Sequence, residues 1–496
     1  MLNKNQKIKL EIPETVLNVA KTLKDKGFLA FLAGGCVRDS LIGRAPKDWD
    51  IATDAKPEQI IELFEKTVYE NRFGTVTIVD EQAADETLRD IEITPFRLEA
   101  AYSDRRHPDT VQFSDRLEDD LARRDFTINA LAYEPFDNTL IDLYDGIKDI
   151  KDKTIKTVGN PTDRFQEDAL RLLRAVRFAA ELDFSIDKGT AKAIYDNSEL
   201  IKDVSCERIR DELTKIIDSP NPMSGLILVS QCGLLVHILP ELENAIGIEQ
   251  GGEHVYDVWE HTLRAVQHAA DKNWSFHVKL AALFHDIGKP PTRRADGKGG
   301  KKWTFYGHEV VSERIAGKVM DRLKFPVKLT DTVSLLVRNH MFFSDPDKIT
   351  LSAVRRVIAK VGPDLIWDLM NLRICDRVGM GRPKEEPYRL RKYQSMIEEA
   401  LRAPTSVGML KIDGRRIMDV THETPGPKVG MILNALMEEV LEEPEKNTEG
   451  YLNNRAIELS KMPEKGLRML AEKGKERKEA IEEQELKKIR GKYGVK

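Results

Sequence analysis

The chain has 496 residues, which at about 150 residues per domain predicts three or four domains. Its 78 Lys and Arg against 83 Asp and Glu leave a net charge of −5. That sign excludes a protein coated all over in positive charge, although local basic patches can still grip phosphates. With 41% hydrophobic and 32% charged residues, a buried core is available and wholesale disorder is excluded. No apolar run reaches the roughly 18 residues of a membrane-spanning helix. The opening MLNKNQKIKLEIPE lacks the apolar stretch of a secretory signal. Cys36, Cys206, Cys232 and Cys375 lie far apart with no C-x-x-C, so reduced thiols and a cytoplasmic location are expected, with no membrane partner.

In chain order, FLAFLAGG, WDIAT, TVTIVD, DIEITPF and TVQF read as strands, and PEQIIELFEK as a helix started by Pro57. From about residue 160, beginning at FQEDALRLLRAVRFAAEL, apolar residues recur every three or four positions and strand signals nearly vanish. Breaks at 219–225, 249–253, 294–302 and 381–387 punctuate this helical region. The predicted class is α+β: a small mixed-sheet head at 10–150, then a helical neck and body at 151–248, a helical region at 249–382 and a helical tail at 383–496. The closing EKGKERKEAIEEQELKKIRGK alternates charge signs and reads as a solvated helix, weakly held or frayed at its end.

In LAGGCVRDSLIGRAPKDWDIAT (32–53), a strand runs into Gly34-Gly35 and a helix is expected from Cys36. Glycines there let backbone N–H groups approach an anion, and a helix start adds partial positive charge; a tight turn accounts for two glycines equally well. Asp48 and Asp50 are two apart, so on a strand both carboxylates share one face. Paired carboxylates repel unless a cation sits between them, and Mg²⁺ favours such hard oxygens together with substrate phosphates. Glu92, in RDIEITPFR, is a candidate third carboxylate on a neighbouring strand. Asp168 and Arg171, in EDALR, are three apart, which puts them on one face of the first long helix or makes them a local ion pair.

The set GGCVRD, DWD, EITPFR, RRDFTINALA, DLYDG and EDALRLLRAVRF resembles the class II tRNA nucleotidyltransferases, the CCA-adding enzymes, whose superfamily includes bacterial poly(A) polymerases. The resemblance is dense over about 20–250, continues in ERIRDEL (207–213) and is looser in 410–433. It implies addition of C, C and A to a tRNA 3′ end from CTP and ATP, with release of pyrophosphate. Asp48 and Asp50 would hold Mg²⁺ with Glu92 as a third catalytic carboxylate, and Gly34, Gly35 and Arg38 would hold the triphosphate. Arg124, Asp125 and Asn129 would contact nucleotide. Asp168 and Arg171 would read the amino group and ring nitrogen that cytosine and adenine share. Arg174 and Arg177 continue the arginine stripe beside this site. The segment AYSDRRHPDTVQFSDRLEDDL (101–121) resembles the loop that full CCA-adding enzymes use in switching from C to A. Addition of A alone and poly(A) synthesis are the alternatives within the superfamily.

Seven of the ten histidines lie between 254 and 340. His261, His285-Asp286, His308, His340 and Asp376 each lie in or beside a helical segment, and imidazole plus carboxylate suits Mn²⁺, Fe²⁺, Ni²⁺ or Mg²⁺. HDIGKP, with His261 before it and Asp376 after it, resembles the HD superfamily of metal-dependent phosphohydrolases. The resemblance implies His261, His285, Asp286 and Asp376 as ligands of a second divalent metal, with His308 and His340 as the extra ligands of two-metal members and Lys289 on the substrate phosphate. Fused HD domains in this family include phosphatases and 2′,3′-cyclic phosphodiesterases; the alternative is a phosphohydrolase whose head mainly holds RNA, or an HD region that only binds RNA. Basic clusters at Arg293, Arg294, Lys298, Lys301 and Lys302, at Arg389, Arg391 and Lys392, and at Arg415-Arg416 are candidate tRNA phosphate contacts or simply solvated faces.

Overall fold

The computed structural model describes residues 5–70, 74–98, 112–251, 254–295, 303–342, 349–382, 384–402 and 410–495. Residues 101–111 of the segment that resembles the C-to-A loop, and Lys298, Lys301 and Lys302, lie outside the described residues. The chain divides into two units, Met1–His340 with Asn371–Pro383, and Met341–Met370 with Lys384–Lys496.

The head is built on strands β1 (Asn5–Lys7), β2 (Ala30–Ala33), β3 (Trp49–Thr53), β4 (Thr67–Glu70), β5 (Thr75–Val79), β6 (Asp90–Pro95), β7 (Leu131–Glu134) and β8 (Thr139–Asp142). They form one sheet in the order β1-β8-β7-β2-β3-β6-β5-β4. Only β3 and β6 run parallel, with Asp50 in register with Glu92. Alternation decides what each face carries. Trp49, Ile51, Ile91 and Ile93 turn into a core with Val16, Ala20 and Leu23 of helix α1 (Glu14–Asp25). Each buried Val, Leu or Ile among them contributes roughly 1.5–3 kcal/mol by burial. The intervening positions, Asp50 and Glu92, are thereby sent to the opposite face. Ala33, Ala52, Phe96, Leu117, Leu121 and Ala132 close part of that face. Helix α2 (Gly35–Leu41) follows β2 directly.

The neck begins with α3 (Pro161–Glu167) and α4 (Leu170–Leu182), followed by α5 (Cys206–Asp218). The following helical region contains α6 (Val258–Asp271), α7 (Phe276–Phe284), α8 (His308–Arg322), α9 (Val327–Asn339) and α10 (Ile366–Gly379). Helical periodicity described this region well; what it left out is the short strand pair Arg294–Ala295 and Trp303–Thr304. Lys279 of α7, itself buried, pairs with Asp218 at 2.7 Å and fastens α7 to the end of α5.

In the second unit, α11 (Tyr388–Leu401), α12 (Pro427–Glu442) and α13 (Glu464–Lys492) accompany a core that includes Ile417, Ile432, Leu436, Leu452, Leu459 and Leu467. The expected fraying of the closing helix is corrected here. Arg391 donates to the Tyr493 carbonyl at 2.6 Å, and Glu398 accepts from Lys492 and the Tyr493 hydroxyl at 2.7 Å each. Ile489 is buried as well, so the end of α13 is pinned by contacts that charge periodicity does not encode. Among the described residues no helix is long and apolar enough to cross a membrane.

Candidate active site and candidate metal centre

The strand-to-helix join at Gly34-Gly35 is shaped by what surrounds it. Gly34 has φ +82° and ψ −130°, a conformation open essentially to glycine. A Cβ at Gly34 would lie 2.5 Å from Arg124 Nη1 and 3.6 Å from Asp50 Oδ2; one at Gly35 would lie 3.6 Å from Asp48 Oδ1 and 3.8 Å from Arg38 Nη2. Both carboxylates therefore converge on the double glycine, with a guanidinium beside each. Gly34, Gly35, Arg38, Asp48, Asp50, Glu92, Arg124, Asp125, Asn129, Asp168, Arg171, Arg174 and Arg177 all line one cavity of about 980 Å³. Burial, with Glu92 and then Asp48 beside it, pushes the Asp50 carboxyl up to about 7. A buried all-oxygen donor set, in which desolvation and then the neighbouring carboxylates disfavour the charged form of Asp50, fits a hard divalent cation.

Behind the carboxylates runs a chain of polar contacts. Arg38 Nη1 donates to Asn129 Oδ1 at 2.5 Å, and Asn129 Nδ2 donates to Asp125 Oδ1 at 3.0 Å. Arg174 grips Asp125 Oδ2 through Nε and Nη2 at 2.9 and 2.6 Å. Glu212 of α5 then lies 3.9 Å from Arg174 and 3.1 Å from Arg177. Arg38, Arg174 and Arg177 also face the Phe178 ring, at 5.0, 5.4 and 4.1 Å from its centroid. Burial opposes the charged form of Asp125, but Arg174 and Asn129 outweigh it and hold the carboxyl well below the usual range. Arg124 is oriented the same way by Asp120, which is fully buried and accepts from its Nε and Nη2 at 3.3 and 3.1 Å. Asp120 also accepts from Arg123 at 2.9 Å. Sequence reasoning missed Asp120, although its spacing of three and four from Arg123 and Arg124 was the available signal.

The expected common helix face for Asp168 and Arg171 is corrected by the structure. Asp168 is extended (φ −141°, ψ 105°), in the break between α3 and α4. Its carboxylate accepts from the Leu170 N–H at 3.1 Å, a local bond that competes with helix continuation. Its other oxygen accepts from Arg208 of α5 at 2.7 Å. Arg171 instead donates to Glu167 at 2.5 Å and to the Arg123 carbonyl at 3.0 Å. Both residues line the same cavity, but Arg208 is Asp168's ion-pair partner. The ERIRDEL motif held Arg208 and Glu212 without revealing their partners.

The histidine cluster is assembled from five helical segments of one unit. His285, His308 and His340 each place Nδ1 2.7–2.8 Å from a backbone carbonyl three residues back, on Ala282, Phe305 and Val337. That contact fixes the tautomer and leaves Nε2 as a lone-pair donor. His261 Nε2 and His285 Nε2 lie 2.9 Å apart, and His308 Nε2 and His340 Nε2 3.3 Å apart. Asp286 stands between the pairs. Its Oδ2 is 3.0 and 3.2 Å from His261 and His285, and its Oδ1 is 3.2 and 3.9 Å from His308 and His340. Asp376 Oδ1 completes the first group, 3.5 Å from His261 Nε2 and 4.0 Å from His285 Nε2.

The donor atoms of His261, His285, Asp286 and Asp376 all lie within 4.8 Å of one another, as do those of Asp286, His308 and His340. Asp48, Asp50 and Glu92 do not gather to that spacing. Burial lowers His340 to about 3, with the neighbouring His285 adding to the effect. Burial also lowers His261. Facing imidazole lone pairs around a shared carboxylate fit divalent metal, and the shared Asp286 fits two.

The fold and the two sites define a nucleotidyltransferase-type head on a helical neck, carried with a histidine–aspartate cluster that could hold metal. Residues 30–156 match the poly A polymerase head domain, 183–246 the "probable RNA and SrmB-binding site of polymerase A", and 258–377 the HD domain. Each of these three matches covers a part of the chain, and the curated relatives it resembles are CCA-adding enzymes. It is 46% identical over 228 residues to the CCA-adding enzyme of Limosilactobacillus reuteri, covering 46% of this chain and 55% of the relative. It is 46% identical over 211 residues to that of Ligilactobacillus salivarius, covering 42% and 50%. The match thus spans about half the length of these curated relatives. The structure resembles the CCA-adding enzyme of Bacillus stearothermophilus in complex with CTP, with a TM-score of 0.58, 26% identity and coverage of 90% of this chain and 98% of that one. The Thermotoga maritima CCA-adding enzyme complexed with tRNA shares the fold, with a TM-score of 0.50, 20% identity and coverage of 90% and 96%.

Proposed function

We propose that the chain adds C, C and A to tRNA 3′ ends from CTP and ATP without a nucleic-acid template. The observation that carries this reading is the convergence of Asp48 and Asp50 on Gly34-Gly35 between Arg38 and Arg124. In the reaction, the tRNA 3′-oxygen forms a bond to the α-phosphorus while the bond to the pyrophosphate oxygen breaks. Mg²⁺ held by Asp48 and Asp50, with Glu92 beside them, would neutralise charge on the triphosphate and acidify the attacking hydroxyl. Arg38 and Arg124 hold the phosphates; Asp125, Asn129 and Arg174 form a fixed polar wall for the nucleotide, with Arg177 behind them. Asp168 accepts from the amino group of C or A, and Arg171 donates to the ring nitrogen. Uracil and guanine present a carbonyl where that amino group would be. The relatives' names favour complete CCA addition over A alone or poly(A) synthesis.

The HD centre supports a second activity, hydrolysis of a phosphate ester such as a terminal phosphate or a 2′,3′-cyclic phosphate. His261, His285, Asp286 and Asp376, with His308 and His340, would hold one or two ions of the Mn²⁺, Fe²⁺ or Ni²⁺ type, or Mg²⁺, which would supply Lewis acidity and activate water. One experiment tests both activities. Purified protein is given tRNAs ending at the discriminator base, at C and at CC, with CTP and ATP separately and together, and the products are sequenced. The Asp48→Ala/Asp50→Ala protein is expected to lose incorporation while phosphodiesterase activity persists, and His285→Ala the reverse. Stepwise addition that survives loss of both aspartates overturns the head reading; a metal-replete protein without phosphodiesterase turnover overturns the HD reading.

A further inference from the structure

Gln250 lies in EQGGE (249–253), a stretch that composition marks only as a break between domains. It is nonetheless buried, at 4% exposure. Its Nε2 donates to the carbonyls of Tyr256 and Asp257, each at 3.2 Å. Those two bonds settle which way the amide faces. Its Oε1 is left to accept from Lys289 Nζ at 2.6 Å. Lys289 is also buried, and its Nζ lies 2.6 Å from Asp286 Oδ2. The anchor of this arm is itself fixed to the centre. Asp257 caps α6, the helix that carries His261, by accepting from the Glu260 N–H at 2.7 Å, and it accepts from the Gly247 N–H at 2.8 Å.

We propose that Gln250 is a positioning residue of the HD centre, holding the Lys289 ammonium over the Asp286 side of the metal cluster so that it meets a phosphoryl oxygen. The proposal rests on the HD reading above for the identity of the centre. An ammonium has three N–H bonds. Gln250 takes one of them and the Asp286 carboxylate pairs with the charge from 2.6 Å, which leaves donor capacity for an anion at the cluster. A lysine stem has four rotatable bonds, so without the amide its head is set by Asp286 alone, a carboxylate also placed to serve metal.

The test uses the full chain loaded with Mn²⁺ and inorganic phosphate as the probe, with calorimetric Kd and bound metal measured for wild type, Gln250→Leu, Gln250→Met, Lys289→Met and the Gln250→Met/Lys289→Met pair. Either Gln250 variant is expected to weaken phosphate by about 10-fold, the scale of one charge-assisted hydrogen bond, at unchanged metal content. The double variant is expected to be no weaker than Lys289→Met, since both act through one ammonium. With bis(p-nitrophenyl) phosphate, the Gln250 variants should raise KM by a similar factor and leave kcat nearly unchanged.

Wild-type phosphate affinity in a metal-replete Gln250→Leu or Gln250→Met protein overturns the proposal. So do additive losses in the double variant, or loss of metal in step with phosphate, which would mean a purely structural role. Phosphate binding with the predicted pattern but no hydrolysis would sink the hydrolase reading and leave the positioning role standing. Failure of the wild type to take up metal would sink both.

Discussion

Gly34→Ala separates backbone strain from site geometry, because Gly43 supplies its own control. Gly34 and Gly43 both have positive φ, +82° and +73°. A Cβ at Gly43 meets nothing within 4 Å, whereas one at Gly34 sits 2.5 Å from Arg124 Nη1. The strain alone costs roughly 1–3 kcal/mol at either position. At Gly34 the guanidinium must also retreat, and it is tied to Asp120 at 3.1 Å and to the Asn129 carbonyl at 3.4 Å. Losing a hydrogen bond to a buried carboxylate costs about 1.5–3 kcal/mol, or about 10- to 100-fold if that guanidinium position is used in the transition state. The assay is incorporation of labelled CTP into tRNA lacking its CCA end, with thermal unfolding alongside. Both variants should lose stability, Gly34→Ala more by about that hydrogen bond, and only Gly34→Ala should lose kcat/KM on that scale. In an Arg124→Ala background Gly34→Ala should add little. Equal activity in the two glycine variants, or a Gly34→Ala loss independent of Arg124, refutes the argument.

The remaining predictions concern charge. Asp50 is raised from 3.8 to about 7 by burial, Glu92 and Asp48, so its contribution to the metal-free head is complete below about pH 4 and is lost as pH rises through 7. Asp50→Asn should therefore stabilise the EDTA-treated protein at pH 8 by of order 2 kcal/mol, half the full linkage value because the carboxyl keeps some solvent contact. It should also abolish the gain in thermal stability on adding Mg²⁺; identical pH profiles for variant and wild type count against this. Asp168→Ala should relax the preference for C and A over U and G by about 10- to 100-fold in incorporation assays with all four nucleotides, the cost of an unmatched buried polar group. Arg208→Met, which removes the partner 2.7 Å from Asp168, should relax it less; unchanged selectivity in both variants would remove Asp168 from base choice.

What the sequence made legible was local. Alternation along a strand sends Asp50 one way and Trp49 and Ile51 the other, so the carboxylate face could be read from WDI alone. The HDIGKP run, through the HD superfamily it resembles, named His261, His308, His340 and Asp376 as side chains that the structure brings together at Asp286. The misreading of Asp168 was local too: helical periodicity continues through it, but its carboxylate takes the Leu170 N–H and breaks the helix there. Illegible were the partners that come from afar. Asp120 is one of three consecutive acids in the first turn of a short helix, and packing decides that it, and neither Glu118 nor Asp119, enters the arginine pair. Glu212 stood in the ERIRDEL motif and Gln250 in the break at 249–253, neither with any sign of its partner.

Those distant partners also determine what the head can do by itself. Arg38, Asn129, Asp125, Arg174, Glu212 and Arg177 form one continuous run of contacts that begins on α2 and ends on the neck. Asp125, Arg177 and Glu212 are each less than 9% exposed, and a buried charge that loses its partner costs about 3–5 kcal/mol. The polar wall proposed for the nucleotide is therefore held from the neck as well as from the sheet. The carboxylates that would bind metal sit on a strand, but Asp125 depends on an arginine 49 residues further along the chain. The proposed nucleotide site would thus be a joint product of head and neck, and substitutions on α4 or α5 are expected to act on nucleotide binding through Asp125 without touching the proposed metal ligands.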